Sequence, residues 1–159
     1  MSLEFSPENQ EKIQTLLDRY PDKRSTTLPV LHIAQAQFGT LTPEVINLVA
    51  DAIDQESMHV RDTISFYTMF HTKERGKYHL QVCHTLSCSL RGSEQVVDHL
   101  YERLNFDENG MTADKQFSIE KVECLGACGT APVVQINNDY YENLTIERLD
   151  EIIDKLQAS

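Results

Sequence analysis

Phe117-Ser118-Ile119-Glu120-Lys121-Val122 alternates apolar and polar side chains, then gives way to Glu123-Cys124-Leu125-Gly126-Ala127-Cys128-Gly129-Thr130-Ala131-Pro132. The alternation predicts a half-buried strand. The cysteines, small residues and proline behind it predict a loop with a fixed exit, and the isomer of the bond before Pro132 is not deducible. The same phrase occurs upstream. Tyr78-His79-Leu80-Gln81-Val82 alternates as a strand, Cys83 follows it, and Cys88 opens the next helix. Residues 89–104 form that helix, with Val96, Val97, Leu100 and Leu104 at helical spacing, and Asp107-Glu108-Asn109-Gly110 is turn chemistry. Downstream, Pro132–Ile136 reads as a third strand, Asn137-Asn138-Asp139 as a tight turn and Tyr140–Glu142 as a returning fourth. Thr145 caps a closing helix carrying Leu149, Ile152, Ile153 and Leu156. Strand, helix, three strands and a helix is a compact α/β order.

The first part of the chain has another texture. Residues 6–71 contain no cysteine and show helical periodicity. Ser6-Pro7-Glu8 offers an N-cap with proline at the first helical position, and Ile13, Leu16, Leu17 and Tyr20 share one face until Pro21 stops the helix. A second helix starts near Thr27, carries Leu31, Ala34 and Phe38, and ends at Gly39. Thr42-Pro43-Glu44 repeats the capping signal ahead of Val45, Leu48, Val49 and Ala52. Ser57 is the expected cap of a fourth helix running to about Met69, with Val60, Ile64 and Tyr67 inward. These spacings predict an all-helical bundle over 1–72 and an α/β domain over 73–159, with the charged stretch His71–Lys77 between them.

All four cysteines lie in the second part, as C-x4-C and C-x3-C. Two loops leaving one end of a sheet can bring four thiolates together, the ligand count of a 2Fe–2S cluster. The expected N-terminus of the helix after Cys88 would supply N–H donors to anionic sulfurs. Gly126, Ala127 and Gly129 would let backbone approach closely. Three other readings stay open: structural zinc, whose knuckles are usually tighter; a thiol–disulfide enzyme, although C-x-x-C is missing; and disulfides, which do not suit a chain without a secretion signal.

Composition narrows the setting. The 159 residues include 14 basic and 25 acidic side chains, for a net charge of −11, which argues against nucleic acid and anionic membrane surfaces as partners. The charge is spread, with 5 basic and 10 acidic residues over 1–72 and 9 basic and 15 acidic over 73–159. Apolar runs such as Ala131-Pro132-Val133-Val134 are too short to span a bilayer. The first five residues carry neither a secretory nor a transit signal, so a cytoplasmic location is expected. The six glycines (39, 76, 92, 110, 126 and 129) form no G-x-G-x-x-G phosphate loop, so no dinucleotide or flavin is expected on this chain.

Val122–Pro132 resembles a known family closely: the roughly 24-kDa-type subunit of NADH:quinone oxidoreductase (complex I), a thioredoxin-like 2Fe–2S ferredoxin. The resemblance runs over nearly the whole chain. It includes Ser65-Phe66-Tyr67-Thr68-Met69-Phe70, then Val82-Cys83-His84-Thr85-Leu86-Ser87-Cys88 with Arg91-Gly92, and Ile136-Asn137-Asn138-Asp139-Tyr140-Tyr141. It departs at Asp114-Lys115, where family members often have Asp-Gly. The resemblance implies that Cys83, Cys88, Cys124 and Cys128 ligate one 2Fe–2S cluster, each pair holding one iron. It also implies a partner flavoprotein subunit that binds FMN and NADH and carries further iron–sulfur clusters. The oxidoreductase activity then belongs to the assembled respiratory-chain complex, peripheral to the bacterial inner membrane, with no catalytic residue on this chain. NAD-reducing hydrogenases and NAD-linked formate dehydrogenases contain similar modules.

Other residues carry competing readings. His84 could be a ligand as in a Rieske centre, but four cysteines complete the shell without it. His32 and His79 suit structural positions, and Tyr140-Tyr141 suits a strand edge. Phe66, Tyr67, Met69 and Phe70 are either core or a docking surface for the flavoprotein. Arg91 is either solvated or a charge that raises the electron affinity of the site.

Overall fold

The computed structural model describes residues 3–158. The chain divides into two compact units, Met1–Glu74 and Arg75–Ser159, the boundary falling inside the charged stretch.

The first unit is helical. Helix α1 (Pro7–Arg19) opens as its sequence dictates: Ser6 Oγ accepts from the Asn9 N–H, and Pro7 occupies the first turn. A short 3-10 turn (Lys23–Thr26) follows, started by the Asp22 carboxylate accepting from the Arg24 N–H; the apolar pattern carries no sign of it. Helix α2 (Thr27–Phe38) ends at Gly39, and α3 (Pro43–Ile53) begins with Thr42 Oγ1 accepting from the Val45 N–H. Helix α4 (Ser57–Phe66) differs from expectation at both ends. Its N-cap is Glu56; Ser57 is already helical and donates instead to Asn47 Oδ1 at 2.8 Å. The helix stops at Phe66 rather than near Met69 because Tyr67 turns extended. That turn lets Phe70 sink into the core while the Gln35 side chain takes the Met69 carbonyl and the His71 N–H. Ile13, Val30, Leu31, Ala34, Val45, Val49, Val60 and Ile64 form the core. His32 packs against Phe70 with tilted rings 5.0 Å apart, a structural position. The aromatic phrase divides: Phe70 is buried and Tyr67 half-buried, whereas Phe66 and Met69 are exposed.

The second unit contains β1 (Tyr78–Cys83), α5 (Leu86–Leu90), α6 (Ser93–Leu104), β2 (Phe117–Val122), β3 (Val134–Ile136), β4 (Asp139–Tyr141) and α7 (Ile146–Gln157). The four strands lie in the order β2-β1-β3-β4, with β1 and β2 parallel and the remaining pairs antiparallel. Leu80, Val82, Phe117, Ile119, Val134 and Ile136 share one core with Val96, Val97 and Leu100 of α6 and Leu149, Ile152 and Ile153 of α7. Asp150 of α7 ties the two helices by accepting from Arg103 and pairing with His99 at 2.7 Å. On alternate residues of β1, His79 is buried, with Nδ1 2.8 Å from Ser118 Oγ, so it is structural. The helix expected over 89–104 is two pieces. Gly92 sits at φ +93, a conformation open to glycine at little cost, and separates α5 from α6. Cys88 therefore lies inside a short helix of its own rather than opening the long one.

Candidate metal centre

Sheet topology brings the cysteines together. Parallel pairing sets Cys83 opposite Val122, so β1 and β2 run out side by side. Antiparallel pairing sets Val82 opposite Val134, so β3 begins at that same edge. Cys83 is the last residue of β1, Cys88 lies in α5, Cys124 is just past β2, and Cys128 opens a 3-10 turn (Cys128–Thr130) before β3. Cys83, Cys88, Ala131 and Val133 form one buried cluster, with Leu125 and Ala127 packed against it. The two loops are therefore in contact. The bond between Ala131 and Pro132 is cis.

The sulfurs stand in two pairs. Cys124 Sγ lies 3.6 Å from Cys128 Sγ. Two thiolates on one tetrahedral metal with bonds of about 2.3 Å sit about 3.7 Å apart. Cys83 and Cys88 share the buried cluster, and between the pairs Cys83 acts electrostatically on Cys124 and Cys128, as Cys128 does on Cys88. Among the described residues, no three His, Cys, Asp or Glu side chains gather as holders of a single ion. Four soft thiol donors, with one pair at the edge length of a tetrahedral metal, suit a two-iron cluster held by four thiolates. Burial separates the pairs: Cys83 and Cys88 are 1% and 2% exposed, whereas Cys124 and Cys128 lie open at the surface.

Each pair contains one thiol made more acidic and one made less so. Burial pushes Cys83 up, but the Thr85 hydroxyl, the Leu125 and Thr85 N–H groups and the Cys88 thiol together hold it below the ordinary thiol range. Cys88 is raised by burial first, then by the neighbouring Cys83. The Gly126 N–H, 3.4 Å away, lowers Cys124, helped by Cys128 and the Thr85 hydroxyl. Cys128 is raised by its bond to Cys124 and by that neighbour's charge, against the Ser87 hydroxyl. Gly126 reaches this position with φ +80. The N–H donors thus come from the loops and, for Cys88, from Val133 at the entry to β3. The expected donor, the N-terminus of the long helix, starts only at Ser93, beyond Gly92.

Further ties join the loops. Arg91 Nε donates to the Ala131 carbonyl at 2.7 Å, and His84 Nε2 stands 3.6 Å from Glu123 Oε1, occupied by a carboxylate rather than by the sulfurs. Tyr140 is exposed and Tyr141 packs against the sheet core. Sequence reasoning missed Thr85 and Ser87. Hydroxyl residues are common in any loop, and only their position within C-x4-C could have singled them out.

Known proteins share this arrangement of sequence and fold. A protein from Rickettsia bellii (strain RML369-C), named as a subunit of NADH-quinone oxidoreductase, is 44% identical over 156 residues, covering 96% of this chain and 93% of its own. A subunit of NADH-quinone oxidoreductase from Rhizobium meliloti (strain 1021) is 41% identical over 150 residues, covering 94% and 89%. Among solved structures, an NAD+-reducing NiFe-hydrogenase in its H2-reduced state matches 84% of this chain with a TM-score of 0.71. At 22% identity that likeness is one of fold, and it spans only 22% of the hydrogenase chain. The model of the thioredoxin-like 2Fe-2S ferredoxin family matches residues 13–157. By that match and those relatives, the chain belongs to the thioredoxin-like 2Fe-2S ferredoxin family.

Proposed function

We propose that Cys83, Cys88, Cys124 and Cys128 hold one 2Fe–2S cluster, Cys83 and Cys88 on one iron and Cys124 and Cys128 on the other. In this reading the chain is the electron-transfer subunit of an NADH:quinone oxidoreductase, exchanging single electrons with the FMN of an NADH-binding partner. The observation that carries it is the pairing of four thiols at one sheet edge, two sealed in the fold and two open at its surface. When bound, such a cluster accepts and releases one electron without making or breaking a bond. The residues of this chain do the rest. The four thiolates ligate, loop N–H groups and hydroxyls hydrogen-bond their sulfurs, and the exposed pair sets how near a partner can come. The exposed Phe66 and Met69 of the helical unit suit a docking role toward the flavoprotein.

Relatives at 39 to 44% identity favour the quinone-linked complex over the equivalent subunit of a hydrogenase or formate dehydrogenase. The reading puts the chain on the cytoplasmic side, peripheral to the membrane; among the described residues no helix is long and apolar enough to cross one. Affinity purification from the native host under anaerobic conditions tests it. An FMN-binding subunit is expected to come with the chain, and NADH to reduce a 2Fe–2S signal that is lost in a Cys124→Ala strain. Recovery without a flavoprotein, or a signal indifferent to NADH, would overturn the proposal.

A further inference from the structure

Thr85 stands at the N-cap of α5 with φ −73 and ψ 171, ordinary cap geometry, yet its side chain makes no capping bond. A threonine there normally accepts from an N–H of the first helical turn. Here Oγ1 lies 3.2 Å from Cys83 Sγ instead. The residue has given up a helix cap and faces the sulfur that ends β1. It is half-buried, so water competes only partly for its proton.

We infer that the Thr85 hydroxyl is a positioning and potential-setting donor to Cys83, and that it raises the electron affinity of the site the four cysteines form. The inference rests on the cluster proposed above. Once Cys83 is a thiolate, only the hydroxyl can donate. Reduction adds one electron, which in a test comes from dithionite, and breaks no bond; the hydroxyl keeps its proton. A donor stabilises the more negative of two states more strongly, so losing it favours the oxidised state. Hydrogen bonds to sulfur are among the recognised determinants of iron–sulfur potentials.

The experiment is an EPR-monitored redox titration of the reconstituted full chain as wild type, Thr85→Val and Thr85→Ser. Valine keeps the shape and removes the proton; serine keeps the proton. Thr85→Val is expected to lower the reduced-to-oxidised ratio at fixed ambient potential about tenfold, a downward shift of about 59 mV for a one-electron couple. Thr85→Ser should stay within about twofold of wild type. An unchanged valine variant, an upward shift, or equal shifts in valine and serine would each overturn the inference. If valine does not assemble, the same titration of Thr85→Ala decides. A downward shift of similar size is expected, and an unchanged potential overturns the inference. A wild type without any 2Fe–2S signal would instead bring down the cluster assignment itself.

Discussion

Cys83 and Cys88 are sealed inside the second unit, one ending a strand and the other within a helix, whereas Cys124 and Cys128 lie open on a loop. The two pairs have the same chemistry and nearly the same spacing, yet one belongs to the hydrophobic structure and the other to the surface. The difference teaches that a single sheet edge can serve two needs. The inner pair is fixed by β-pairing and burial, and the outer pair is left where a second protein can approach. Each pair is polarised alike, with Cys83 and Cys124 lowered and Cys88 and Cys128 raised, so the contrast is one of exposure rather than of thiol chemistry.

The sharpest way to break this comparison is to delete one member of each pair. Cys83→Ala and Cys124→Ala should both abolish the 2Fe–2S EPR signal, since each removes a proposed ligand. Metal-free stability should separate them: Cys83→Ala costs about 1–2 kcal/mol by denaturant unfolding, while Cys124→Ala stays within about 0.5 kcal/mol. A retained signal in either variant refutes the ligand assignment, and equal stability loss refutes the inner–outer distinction.

Arg91 tests whether the pairs are held together. Its Nε bond to the Ala131 carbonyl joins the end of α5 to the loop of the outer pair, and a hydrogen bond to a charged donor is worth about 1.5–3 kcal/mol. Because Arg91 is exposed, we expect about 1–2 kcal/mol lost in Arg91→Ala, with faster cluster release to a chelator; Arg91→Lys should restore only part. Wild-type release from the alanine variant would show that the loops need no such tie.

Alkylation of the metal-free protein compares the pairs directly. Cys124 and Cys128 should react at least tenfold faster than Cys83 and Cys88, a factor that needs only about 1.4 kcal/mol of local opening to expose the inner pair. Uniform labelling of all four, read by mass spectrometry, would erase the distinction.

The smallest effect is a control away from both pairs. Lys115 sits at φ +56, in a turn where Asp114 Oδ1 accepts from the Gln116 N–H and from Thr112 Oγ1. Lys115→Gly should stabilise the unit by about 0.5–1 kcal/mol, the left-handed penalty less the entropy glycine brings. It should raise the melting temperature without altering either pair's alkylation. A lowered melting temperature would refute it.

Much of this was legible residue by residue. Ser6-Pro7 and Thr42-Pro43 mark helix starts because a cap oxygen and a pre-set φ act locally, and both caps form. The alternation of 78–82 and 117–122 marked the strands, and the four cysteines marked the site's candidates. The departure at Asp114-Lys115 even pointed to a position where the backbone is left-handed. What escaped depended on long-range packing. Val96, Val97, Leu100 and Leu104 make a convincing helical face, and their periodicity hid the break at Gly92, whose helical cost of about 1 kcal/mol is too small to decide alone. Helix α4 stops at Phe66 because Phe70 and Gln35 draw the chain elsewhere, a tertiary demand with no local signature. Thr85 carries the sequence signature of a cap and spends its hydroxyl on a sulfur, which only the fold reveals.

The most direct test of the account is metal analysis of the anaerobically reconstituted chain together with its EPR spectrum before and after dithionite. Two irons and two acid-labile sulfides per chain are predicted, in a red-brown protein that is EPR-silent when oxidised and gives one paramagnetic signal after one-electron reduction. A colourless protein holding one zinc ion on the same cysteines would contradict it.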